Sequence, residues 1–161
     1  MARTWVVNAS PLILLGRIGR IEFLPRLAEK LIIPSGVVQE LERGPVSDPA
    51  RVWLAKHGDA LEHAVTTVPS AVAAWDLGLG ESHVLSLCYG QENREAILDD
   101  GPARRCAAAL GVPVRGTLSL IVLAKRDGLV PASRPLFEEL LAKGLRAAPN
   151  VIERAIELAG E

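Results

Sequence analysis

The residues of this chain best suited to chemistry are hard oxygen donors placed at the ends of apolar runs. Asn8 ends the first such run, and Asp99 and Asp100 follow the apolar Ala96-Ile97-Leu98. Glu81 stands directly after Gly78-Leu79-Gly80, and Glu40 lies a few residues into a helical pattern. Oxygen-only donors suit Mg²⁺ or Mn²⁺, which keep several waters for a substrate phosphate to replace. Such ions activate water and neutralise the charge that builds up in phosphodiester cleavage. Each acid also has a purely structural reading. Asp100 before Gly101-Pro102 is a good helix N-cap, Glu81 in a first turn complements the helix dipole, and Glu40 can be a solvated helix residue. The adjacency of Asp99 and Asp100 favours chemistry, because neighbouring carboxylates repel and a cap needs only one.

Other chemistries are not indicated. Gly78-Leu79-Gly80 lacks the third glycine of a dinucleotide fingerprint, since His83 stands there, and no Lys-Ser or Lys-Thr follows to make a P-loop. There is no GxSxG elbow and no HExxH pair, so His57, His63 and His83 read as surface or partly buried structural residues. Cys88 and Cys106 have neither CxxC nor zinc-ligand spacing. Trp5, Trp53 and Trp75 are too scattered for a base-stacking platform; Trp5 reads as core and Trp75 as the anchor of its loop.

The elements that must position these residues alternate between strand-length apolar runs and amphipathic helical patterns, which predicts βαβ units around a mostly parallel sheet. Strands are expected at Thr4–Asn8, Leu31–Ile33, Leu61–Val68, Ala96–Asp99 and Val112–Val114. Ser10 before Pro11 suits the opening of a first helix. Further helices are expected at Ile21–Ala28, from Pro34 to near Gly44, and at Ser47–His57, Glu81–Tyr89, Pro102–Leu110 and Thr117–Arg126. Two more, near Pro135–Lys143 and Val151–Leu158, close the chain, and Pro69–Gly80 reads as a loop. In such sheets ligand sites form beyond the carboxyl ends of the strands. That is where Asn8, Glu81, Asp99 and Asp100 fall.

At 161 residues, 49% hydrophobic, the chain is expected to form a single domain over 1–161, with a core of about 4–130 and added C-terminal helices over about 131–161. A net charge of −1 excludes nucleic-acid binding by bulk positive charge, so any RNA contact must be local. No window has the run of about 18 to 20 apolar residues that a membrane span needs, and Met1–Val7 does not read as a secretory leader. A soluble, cytoplasmic protein without membrane contact is the expectation.

Taken together, Val6–Ile13, Ile33-Pro34 with Val37–Leu41, Gly78–Ser82, and Ile97–Asp100 with Ala103-Arg104-Arg105 resemble the PIN-domain family, in particular its prokaryotic branch related to VapC-like toxins. Gly116-Thr117-Leu118, Ala124-Lys125-Arg126 and Gly128–Pro131 extend the likeness, in consistent order, over most of the chain. The resemblance implies a three-layer α/β/α fold and an acidic cleft that binds Mg²⁺ or Mn²⁺ for endoribonuclease action. It also implies an RNA substrate, a small antitoxin protein as partner, and a homodimer. By this likeness Glu40 and Glu81 are the second and third acids, Asp99 or Asp100 the last, and Ser10 the hydroxyl supporting the first-strand ligand. Arg104 and Arg105 then either touch phosphate or pair with neighbouring acids. The departure is Asn8, where the family usually has its first metal-binding Asp. Asn offers a neutral carbonyl oxygen and an amide donor. Two readings therefore stay open, a nuclease with an altered ligand and a PIN domain that binds RNA or protein without cutting.

Overall fold

The structure, a computed structural model, describes residues 3–161; Met1 and Ala2, the start of the expected domain and of the Met1–Val7 segment, lie outside the described residues. Five strands form one sheet: β1 (Thr4–Val7), β2 (Lys30–Pro34), β3 (Glu62–His63), β4 (Arg94–Ile97) and β5 (Val114–Arg115). Their order is β3-β2-β1-β4-β5, and every pairing is parallel. Trp5, Val6 and Val7 have no exposed surface, as expected of a central parallel strand covered on both faces. The chain builds outward from β1 to β3, then returns to the other side of β1 for β4 and β5. This reversal places the topological switch point between β1 and β4, where a crevice opens at the strands' carboxyl ends.

Ten helices pack around the sheet among the described residues. Those that matter for the site are α1 (Ala9–Arg17), α3 (Ser35–Arg43), α6 (Leu79–Cys88), α7 (Gly101–Ala109), α8 (Thr117–Arg126) and α10 (Pro149–Leu158). The others are α2 (Phe23–Leu27), α4 (Pro49–Leu61), α5 (Ser70–Ala73) and α9 (Arg134–Ala142). The core joins Trp5, Leu12 and Ile32 to Ile97, Leu120 and Phe137, so both faces of the sheet are covered. This is the expected α/β/α arrangement.

Several expectations are corrected in detail. The strand read over Leu61–Val68 is only Glu62–His63, because α4 runs on to Leu61 and the Val65 N–H leaves the ladder for Ser35 Oγ at 3.0 Å. The Ala96–Asp99 strand begins and ends two residues earlier, and Val112–Val114 shifts to Val114–Arg115. The first helix starts at Ala9 with Asn8 in the capping position, so Ser10 is not its cap. The irregular Pro69–Gly80 stretch contains the short helix α5. Trp75 does not anchor this loop by burial, since it is 39% exposed, and Asp76 beside it takes a left-handed φ of 51°.

Candidate functional site

Asn8 leaves β1 at the switch point, its N–H donating to the Ile97 carbonyl at 2.9 Å, and is 2% exposed. Its side chain makes no cap bond. Instead Nδ2 donates to Glu81 Oε1 at 3.1 Å, while Oδ1 is buried without a hydrogen-bond partner. Glu40, from α3, reaches the start of α6, where its Oε1 accepts the Gly80 N–H at 2.8 Å. Gly80 makes this convergence possible. A β-carbon there would lie 2.6 Å from Glu40 Oε2 and 2.8 Å from Asn8 Oδ1.

Asp99 stands beyond Ser10, to the side of this group. It accepts from the Thr117 N–H and from Thr117 Oγ1, both at 2.7 Å, and from Ser10 Oγ at 3.4 Å. The first turn of α8 and the first turn of α1 therefore both hold this carboxylate. Asp100 points elsewhere: its carboxylate accepts the Ala103 N–H at 3.0 Å and caps α7. The two adjacent acids escape mutual repulsion because successive side chains leave the strand end in different directions. Arg104 stands by Asp99. Its Nη1 donates to the Leu98 carbonyl at 3.1 Å, and both it and Asp99 Oδ1 press against Gly116, within 2.8 and 3.0 Å of where a β-carbon would be. Arg105 is exposed on α7 and borders neither hollow described below.

A hollow of about 400 Å³ is lined by Asn8, Ser10, Glu40 and Glu81, with Arg17 and Gly144 at its rim. Arg17 lies one helical heptad beyond Ser10 on α1, and its Nη1 donates to the Lys143 carbonyl at 3.0 Å. Sequence reading missed this residue. The available signal was its i, i+7 spacing from Ser10, which places both on one helix face.

His83, two residues beyond Glu81, is buried rather than partly exposed, and its Nδ1 accepts the Gly36 N–H at 2.9 Å. This bond pins α6 to α3, the two helices that carry Glu81 and Glu40. Burial pushes the His83 pKa below its usual 6.5, against a smaller upward pull from Glu40. A base whose folded pKa is depressed takes up protons preferentially in the unfolded chain at acid pH, so its stabilising effect is complete above 6.5 and is lost as pH falls below it. Urea unfolding of wild type is therefore expected to show stability declining below about pH 6.5, with a shallower decline in His83→Gln; identical profiles would contradict the role.

The donors fit a hard divalent cation in chemical type. Glu40, Glu81 and Asp99 are carboxylates, and the buried Asn8 Oδ1 is a carbonyl oxygen that nothing in the fold satisfies. Among the described residues no three His, Cys, Asp or Glu side chains form a ready-made metal cluster. Position 8 contributes an amide, not a carboxylate, to this group. A separate hollow of about 470 Å³ between α2 and α4, lined by Glu22, Trp53 and His57, shares no residue with these acids.

No helix among the described residues is long and apolar enough to cross a membrane. No curated protein shows significant similarity to the chain. A family model described as DUF3368, a PIN domain, matches residues 4–161. With that match spanning nearly the whole sequence, and a parallel sheet that brings Asn8 and Asp99 together at its switch point, the chain belongs to the PIN-domain family.

Proposed function

We propose that this protein is a metal-dependent endoribonuclease, with Glu40, Glu81, Asp99 and the Asn8 carbonyl as its acidic centre. The observation that carries this reading is the unsatisfied, buried Asn8 Oδ1 beside Glu40 and Glu81, an oxygen that a cation would complete. Mg²⁺ or Mn²⁺, when bound, supplies neutralisation of phosphate charge and activation of water. The chain's own residues do the rest. Ser10 and Thr117 hold Asp99, Gly80 N–H orients Glu40, and Arg17 offers its remaining N–H donors at the rim to an incoming phosphate. Asp100 serves the fold as a cap. The family likeness further supports a toxin restrained by a small antitoxin protein, acting as a homodimer in the cytoplasm.

The test is cutting of a mixed RNA pool by the purified protein in Mg²⁺, Mn²⁺ or EDTA. Cutting is expected with either ion and none in EDTA. Asp99→Asn should lower the rate by at least about tenfold, the scale for losing even an outer partner of a metal site, and lower the melting temperature by a few degrees as the charge-assisted bonds from Thr117 weaken. A wild type that is silent in Mn²⁺ yet binds RNA would replace this reading with the second one, a PIN domain that binds without cutting, for which Asn8 is the supporting observation.

A further inference from the structure

Beyond the acidic cleft a second groove, about 590 Å³, runs between α8 and α10. Asp99 is among its lining residues. Arg104, Arg146 and Arg154 line it, with Ser119 and Asn150 among the other polar groups. Asp99 is the one acid in its walls among the described residues, an unusual balance in a chain of net charge −1. The floor is apolar, with Leu118, Val122, Leu145 and Ala155.

The two hollows adjoin. Ser10 of the cleft bonds Asp99 of the groove, and the connection between α9 and α10 borders both, Gly144 at the cleft and Leu145 to Ala147 at the groove. Arg146 has no hydrogen-bond or ion-pair partner among the described residues. Arg154 pairs only with Glu157 on its own helix, and both side chains are more than 60% exposed, so the pair holds the guanidinium weakly.

We propose that this groove holds the single-stranded RNA that continues from the cleft, with Arg146 and Arg154 on its phosphates and Arg104 at the junction beside Asp99. The proposal rests on the nuclease reading above. Guanidinium forks suit phosphate oxygens, and a chain too acidic to attract RNA as a whole must concentrate its contacts in one such place. The apolar floor shields bases and riboses from water. A strand lying here would bring one phosphodiester past Asp99 into the reach of Glu40 and Glu81.

The experiment measures binding of a fluorescein-labelled single-stranded RNA of mixed sequence to the full chain in Ca²⁺ over a salt series. Arg146→Ala/Arg154→Ala should weaken binding about tenfold and reduce the slope of log affinity against log salt by about 1.4, the value for two lost contacts to a single strand. Its melting temperature and Mn²⁺ affinity should match wild type. Arg26→Ala/Arg43→Ala, which removes the same charge elsewhere, should bind as wild type does. Equal affinity in the groove variant, or equal weakening in both variants, would overturn the proposal. So would tight capture of an acidic amphipathic helical peptide lost in the groove variant while RNA binding is kept, which would make the groove a protein-docking site. Failure of wild type to bind RNA at all would instead bring down the nuclease reading on which the proposal rests.

Discussion

Gly80→Ala is expected to leave the fold intact and lower RNA cutting on the order of 10²- to 10³-fold, the scale of misplacing reacting groups by about 1 Å. The added β-carbon would meet Glu40 Oε2 at 2.6 Å and Asn8 Oδ1 at 2.8 Å. These two contacts differ in how they can yield. Glu40 is the far end of a flexible side chain and can swing out, giving up its bond from the Gly80 N–H. Asn8 is buried, tied through its backbone to Ile97 and through its amide to Glu81, so it moves only by disturbing both. Either shift takes an oxygen away from the cleft. Stability should change little. Position 80 lies in the first turn of α6 with no left-handed φ, and alanine there gains about 1 kcal/mol of helix propensity over glycine. That gain roughly offsets the lost hydrogen bond. The check is paired: circular dichroism and melting temperature within a few degrees of wild type, with Mn²⁺ affinity and cutting both reduced. Cutting within about threefold of wild type, well inside the loss expected here, would show that Glu40 and Asn8 need not converge.

How far this site was legible in the sequence depends on what each residue answers to. Asn8 and the Asp99–Asp100 pair were legible because they end apolar runs, and the ends of parallel strands face one rim. The sequence could not separate the two aspartates. Both a cap and a ligand are acidic, and only the backbone path after Ile97 shows that Asp99 turns to Thr117 while Asp100 turns to Ala103. Glu40 and Glu81 stood out only through their neighbours Val37–Leu41 and Gly78–Ser82; nothing in their spacing says that α3 and α6 pack together. That packing depends on a contact no pattern reveals, the Gly36 N–H on His83, with a ring so close that a β-carbon at Gly36 would overlap it at 2.5 Å. Arg17 and Arg146 were overlooked for a similar reason. Their importance comes from the chain between α9 and α10 passing over the cleft, a tertiary feature with no local signature. The β3 strand was read too long because alternation at a sheet edge persists in residues whose N–H groups find other partners, as Val65 does.

Asn8→Asp is expected to make the fold depend on metal. In wild type the amide donates to Glu81 and presents its carbonyl toward Glu40, so position 8 joins the two carboxylates without adding charge. An amide can offer its NH₂ to either carboxylate, and here it gives it to Glu81 Oε1 at 3.1 Å. An aspartate has no such choice. One of its oxygens must face Glu81 at that distance, in a site 2% exposed where water screens little. Without metal, loss of the hydrogen bond and the new repulsion should lower stability by about 2 to 3 kcal/mol. Mn²⁺ offsets this loss, because the same added charge strengthens binding, and a ligand at a hundredfold excess over its Kd stabilises the folded state by about 2.7 kcal/mol. The expected result is a melting temperature below wild type in EDTA, a larger rise on adding Mn²⁺, and tighter Mn²⁺ binding by calorimetry. Equal melting in EDTA together with unchanged Mn²⁺ affinity would mean that Asn8 does not stand between the carboxylates. The expected pattern would instead explain why an amide is workable here: it gives up some metal affinity and, in return, lets the acidic end of the sheet fold before any cation arrives.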